Sequence, residues 1–220
     1  GKPGAWRGPR RGGLRVLGVA GRGAFLWLAA YCLDGWFVSA PPVAYAAGRA
    51  GFVKALAALP PVGPESSWRV KAAPGRWRNI VVHHTATPTG SAESIDRYHR
   101  EVNKWENGLG YHFIIGNGNG MRDGEVTPSR RWVEQLDGAH VRMKGQGKAN
   151  SWCIGIALVG NFEETVATPR QLASLRGLLA FLLQEYGIKN EEIVGHGQVA
   201  VNHTACPGKL FFLDEVLRVL

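Results

Sequence analysis

Apolar residues change their spacing several times along this chain, and each change marks an element. Residues 80–84 (IVVHH) are a short β-branched run with the composition of a strand. Between residues 91 and 105, Ile95, Tyr98, Val102 and Trp105 recur at intervals of three and four, one face of an amphipathic helix. Residues 111–115 (YHFII) read as a second strand, followed by a tight turn at 116–120 (GNGNG). Residues 132–136 (WVEQL) read as a third, edge-like strand. Residues 153–159 (CIGIALV) are apolar on both faces, which suits a central strand covered on each side. Thr168, Pro169 and Gln171 make a helix start, with a capping hydroxyl, proline in the first turn and glutamine three residues on. The Leu-rich helix that follows runs to about Tyr186 and stops at Gly187. Residues 192–195 then lead a last short strand into His196. Strands and helices alternate, so the predicted class is α/β, a mixed central sheet flanked by helices in a single domain.

Upstream the texture differs. Residues 1–22 are rich in Gly, Arg and Pro, and residues 24–33 carry no charge before Asp34. That stretch is short of the roughly 20 residues a membrane span needs, but it fits the apolar part of a secretory signal behind a basic region. Ala44-Tyr45-Ala46 offers a small-residue cleavage site. Residues 1–59 are therefore read as a basic, apolar leader or anchor, with 23–47 as the candidate membrane attachment. The Pro-rich stretch 60–76 is read as a linker and 77–220 as the folded domain. The expected destination is outside the cytosol, periplasmic or at the cell wall, or held at a membrane.

Charge supports that division. The chain of 220 residues carries a net +9, which by itself invites nucleic acid. Yet residues 1–78 hold 12 of the 26 basic residues and only two of the 17 acidic ones, Asp34 and Glu65. The remainder has 14 basic and 15 acidic residues, so the expected domain is neutral and no nucleic-acid partner is predicted. The three cysteines, Cys32, Cys153 and Cys206, are odd in number and far apart, so no disulfide framework is expected. Cys153 reads as core filler.

Seven histidines, all beyond residue 82, lie in the neutral part. His83 ends the first strand, His196 follows the last, and Cys206 stands ten residues on. Two imidazoles and a thiolate would give zinc three protein ligands and one open position, the catalytic arrangement. His203 is an alternative ligand. Cys206 acting as a nucleophile with His196 as its base is a separate reading from the same residues.

Four words occur in order: VHHTAT at 82–87, GYHFII at 110–115, IGIALVG at 154–160, and GH at 195–196 followed by TACPG at 204–208. In this the chain resembles the N-acetylmuramoyl-L-alanine amidase family, which includes phage amidases and the peptidoglycan recognition proteins. The resemblance covers about residues 77–212. It implies a monomeric zinc hydrolase acting on peptidoglycan at the amide between N-acetylmuramic acid and L-alanine, with Zn2+ on His83, His196 and Cys206. It places the catalytic tyrosine at Tyr111 and a second polar helper at Thr204; His84, at a position that varies in such motifs, and His203 are read as substrate-binding, and His140 as either a substrate contact beside the groove or a structural residue. The cytoplasmic recycling branch carries Asp at the third ligand and a Glu in the Ile-Gly-Ile strand; here Cys206 and Ala157 stand there, which implies the tyrosine-assisted branch. The family also contains non-catalytic peptidoglycan-binding modules, the alternative function. His112 is expected to point away from Tyr111, and His99 is expected to face solvent.

Overall fold

The computed structural model describes residues 48–73 and 76–220. Residues 1–47 of the leader, which include the attachment segment 23–47 and Cys32, lie outside the described residues. Among those described, no helix is long and apolar enough to cross a membrane.

Five strands form one sheet: β1 (Asn79–His84), β2 (Phe113–Ile115), β3 (Val126–Pro128), β4 (Cys153–Leu158) and β5 (Ile193–Gly195), in the order β3-β2-β4-β1-β5. The β2–β3 pair is antiparallel and every other pair parallel. All six residues of β4 are buried, as its apolar run on both faces requires. Its two faces are distinct. Ile154, Ile156 and Leu158 join Ile80, Val82, Phe113 and Ile115 in the main core, beneath α4 (Pro169–Tyr186). Cys153 and Ala157 face the other way, into smaller clusters with Val81 and Ile114.

The cap read in the sequence forms, and it does more than start α4. Thr168 Oγ1 accepts from the Gln171 amide at 3.0 Å, and Gln171 Oε1 accepts in return from the Thr168 amide at 3.2 Å. The buried Gln171 Nε2 also donates to the carbonyls of Ile115 and Val159 at 3.2 and 2.8 Å, fastening the helix start to the ends of β2 and β4.

Three expectations are corrected. Residues 132–136 are not a strand: Ser129 caps a single helical turn, α3 (Arg130–Val133), by accepting from the amides of Arg131 and Trp132. Trp132 is fully buried, and its Nε1 donates to the Trp68 carbonyl at 2.9 Å. The edge strand lies just before it, as β3, with Pro128 at its end.

The stripe expected on α2 (Ala92–Glu101) is rotated. Tyr98 and Val102 are exposed, while His99 is the buried residue of the helix. His99 Nδ1 accepts from the Gly110 amide at 3.1 Å, and its ring packs on Trp105 at 4.7 Å, because the loop after α2 folds back over it.

Part of the expected leader and linker belongs to the domain. Helix α1 (Arg49–Ala57) buries Phe52, Ala55 and Leu56 in the main core, and the short turn Ser66–Trp68 buries Trp68. Phe52 meets Phe211 and Phe212 edge-on, each at 5.4 Å. Arg49 pairs with Asp214 at 2.7 Å and Glu215 at 2.5 Å, at the start of α6 (Leu213–Arg218). Val62 donates its amide to the Ala173 carbonyl, and its own carbonyl lies where a Cβ on Gly177 would be, 1.8 Å away. A chain with so few acids and so many prolines resembles a linker in composition, yet its aromatic and aliphatic residues find a core to enter.

His112 is wholly buried, with Trp77, His140 and Trp132 around its ring at 4.7, 5.7 and 6.3 Å, so it does not turn into a layer apart from His140. His112 Nδ1 accepts from the Gly155 amide at 2.9 Å and its Nε2 donates to the Leu136 carbonyl at 3.2 Å. Burial, and secondarily His140, hold its pKa well below the ordinary 6.5, so it is neutral in the native state.

Two outcomes follow for stability. Phe52→Ala should cost about 3–5 kcal/mol in urea unfolding, whereas Val53→Ala, at an exposed site, should stay within about 0.5 kcal/mol; equal effects would return α1 to the leader. Because the native state excludes the His112 proton and the unfolded chain takes it up, stability should be complete above about pH 6.5 and fall below it. The slope for this one histidine is up to about 1.4 kcal/mol per pH unit, read from urea midpoints between pH 7.5 and 5.

Candidate metal centre

Strand alternation separates the two histidines that end β1. His83 faces the smaller clusters and His84 the main core, where its ring packs on Phe162 at 5.9 Å and Nδ1 accepts from the Phe162 amide at 3.1 Å. The neighbouring parallel strand β5 pairs Gly195 with Val82 and ends there, so His196, the first residue of α5 (His196–Val199), emerges beside His83 with ring centroids 4.5 Å apart.

Cys206 arrives by a loop that α5 holds. Gly197 donates its amide to the Cys206 carbonyl at 2.6 Å, and a Cβ at Gly197 would sit 2.8 Å from the Thr204 carbonyl and 2.9 Å from that of Cys206. Only glycine allows that approach. Thr204 Oγ1 accepts from the Cys206 amide at 3.2 Å, and Cys206 Sγ accepts from the His84 amide at 3.4 Å. Sγ then lies 3.6 Å from His83 Nδ1, and ligand atoms of His83, His196 and Cys206 all fall within 4.8 Å of one another.

The site is electrically quiet. Burial, reinforced by His140, His196 and His84, holds the His83 pKa well below its usual value, and burial lowers that of His196. Both imidazoles are therefore neutral and keep a lone pair for a cation. Burial pushes the Cys206 thiol up to about 11, so a metal taking this sulfur as thiolate must displace its proton. Two nitrogens, one sulfur and no carboxylate among them are the donor set of zinc rather than of magnesium or calcium. His83, His196 and Cys206 fit that ion and leave a fourth position.

Around this cluster the expected residues separate. Tyr111 packs on His83 with ring centroids 5.0 Å apart, and burial beside Cys206 raises its pKa, keeping the phenol protonated. Thr204 is partly exposed at the rim. His203 is exposed and outside the ligand group. His84 is buried on the opposite side of β1 and turns its ring away from the cleft. His140 is also buried, behind His83, with Nδ1 3.1 Å from His83 Nε2 and Nε2 3.1 Å from the Cys153 carbonyl. Burial depresses its pKa to about 3. Neither His84 nor His140 is among the residues lining the groove at Tyr111.

A groove of about 410 Å³ runs away from Tyr111, lined by Thr85, Thr87, Ser94, Tyr98 and His99 among others. His99 was expected in solvent; its place here depends on the 102–110 loop, pinned where the Leu109 amide donates to Asp96 Oδ1 at 2.7 Å. No local spacing announces such a fold-back.

A family model described as N-acetylmuramoyl-L-alanine amidase matches residues 73–209. Human N-acetylmuramoyl-L-alanine amidase is 29% identical over 188 residues, covering 76% of this chain and 29% of the human protein. Drosophila melanogaster peptidoglycan-recognition protein SC2 is 34% identical over 137 residues, 58% of this chain and 66% of that one. The chain thus spans less than two thirds of the length of either relative. Among solved structures, the N-acetylmuramoyl-L-alanine amidase LysC from Clostridium intestinale URNW superposes with a TM-score of 0.55 at 31% identity, over 72% of this chain and 95% of LysC. With a family match across most of the described domain and the same mixed-sheet fold, this chain belongs to the N-acetylmuramoyl-L-alanine amidase family.

Proposed function

We propose that this chain is a zinc-dependent amidase that hydrolyses the bond between N-acetylmuramic acid and L-alanine in peptidoglycan. The observation that carries the reading is the clustering of His83, His196 and Cys206 ligand atoms within 4.8 Å, with Tyr111 packed against the first of them. A bound zinc would supply Lewis acidity towards the amide carbonyl and activate water at neutral pH. Tyr111, which burial keeps protonated, would donate a hydrogen bond to the charge that develops on that carbonyl oxygen. Thr204 accepts from the Cys206 amide and retains its own hydroxyl proton for the substrate side. The hydroxyl-lined groove beside Tyr111 suits a polar sugar-peptide ligand. A wall substrate also agrees with export through the basic leader, and a monomer suffices for a site drawn from one chain.

The names of the relatives include recognition proteins as well as amidases, so a binding module of the same fold is the competing reading. The complete ligand set together with Tyr111 favours catalysis, since a binder needs no open position on a metal.

Purified protein should hold one zinc and release L-alanine-terminated peptides from isolated peptidoglycan, and chelation should stop the release. Cys206→Ala should lose zinc and activity together. Tyr111→Phe should keep zinc while kcat falls about 10²–10³-fold. Stoichiometric zinc without any release points to the binding module, and activity that survives chelation points to Cys206 as a thiol nucleophile.

A further inference from the structure

We infer that His140 is a positioning residue, whose ring, anchored on the Cys153 carbonyl, fixes the tautomer of His83 so that His83 offers Nδ1 to the metal. The inference rests on the zinc reading above.

The hydrogen-bond chain has only one consistent direction. A carbonyl oxygen can only accept, so His140 Nε2, 3.1 Å from the Cys153 oxygen, carries hydrogen. In a neutral ring Nδ1 is then bare and must accept. Its partner at 3.1 Å is His83 Nε2, which therefore carries the hydrogen of that ring. His83 Nδ1 is left with its lone pair, and it is this atom that stands 3.6 Å from Cys206 Sγ. With both nitrogens engaged and the ring buried, His140 has neither donor nor acceptor left for a substrate.

A second observation is independent of the hydrogen bonds. A Cβ at Gly155 would lie 2.5 Å from His140 Cδ2 and 2.6 Å from Cγ, and one at Gly138 would lie 2.5 Å from Cδ2. Such distances forbid a side chain at either position, so two glycines from separate segments form the slot that holds this ring. Gly155 is the glycine of the Ile-Gly-Ile strand, and Gly138 stands two residues before His140 itself. The slot sets the ring plane, the Cys153 carbonyl sets its tautomer, and the hydrogen bond passes that tautomer on to His83. Hydrogen-bonded partners of this kind raise metal affinity by removing the rotational and tautomeric freedom of the ligand.

The test uses the whole chain. His140→Phe keeps a planar ring but removes the acceptor, and zinc affinity by chelator competition should weaken about 10–100-fold. His140→Asn, whose Oδ1 can take the place of Nδ1, should recover most of that loss. With cobalt(II) in place of zinc, the visible spectrum of the Phe variant should change and that of the Asn variant should stay close to wild type. Melting of the metal-free variants separates loss of fold from loss of positioning. In metal-free wild-type protein, two-bond 1H–15N correlations should show the Nε2–H tautomer for both His83 and His140. Unchanged zinc affinity and cobalt spectrum in His140→Phe, or an Nδ1–H tautomer on His83, would overturn the assignment. A wild-type protein that takes up no zinc would instead overturn the amidase reading, and the nitrogen spectrum would still decide the tautomer.

Discussion

At the end of β1 two adjacent histidines share a backbone and face opposite layers, and the geometry of the site descends from that alternation. His83 is turned towards Tyr111, His140 and His196, while His84 is turned into the main core against Phe162. Both still act on the same sulfur: His83 Nδ1 faces Cys206 Sγ, and the backbone amide of His84 donates to it. A slip of one residue in the pairing of β1 with β4 would exchange the two rings. The register is secured along the strand, from Asn79 opposite Cys153 to His84 opposite Leu158, by apolar residues that must all remain buried.

The low-dielectric setting then shapes the chemistry. Burial keeps His83, His140 and His112 uncharged, and each finds partners in backbone amides, carbonyls or another imidazole rather than in carboxylates. Such partners hold imidazoles as neutral donors without adding charge to the centre. Acidic groups near the site would have favoured imidazolium and competed with a metal for the same nitrogens. The close approaches that build the centre depend on glycines at particular places, Gly197 under the Cys206 loop and Gly155 under the His140 ring.

The opposite face supports this arrangement from behind. Helix α1 and Trp68 complete the main core that β1, β2 and β4 share, and Arg176 donates to the carbonyls of Leu56 and Leu59, holding the end of α1 to α4. The family match begins at residue 73, so α1 and Trp68 lie upstream of the matched region, in residues that the sequence alone assigns to a leader and a linker.

The alternating elements, the capping box of α4, the both-faces-apolar β4 and the grouping of His83, His196 and Cys206 were legible in the chain, because each is written locally in periodicity or in short ordered motifs. The one-turn helix at Trp132, the core role of Phe52 and Trp68, and the burial of His99 were not. Each depends on a distant partner: the Trp68 carbonyl for Trp132, Phe211 and Phe212 for Phe52, and the folded-back 102–110 loop for His99. The same division runs through the site. By itself, the sequence determined that His83, His196 and Cys206 are present in an order and context resembling zinc amidases. Only tertiary structure decided that His140 stands behind the cluster of His83, His196 and Cys206 and that His84 turns away from it, because which atoms of a ring are engaged is set by neighbours that spacing along a chain does not encode.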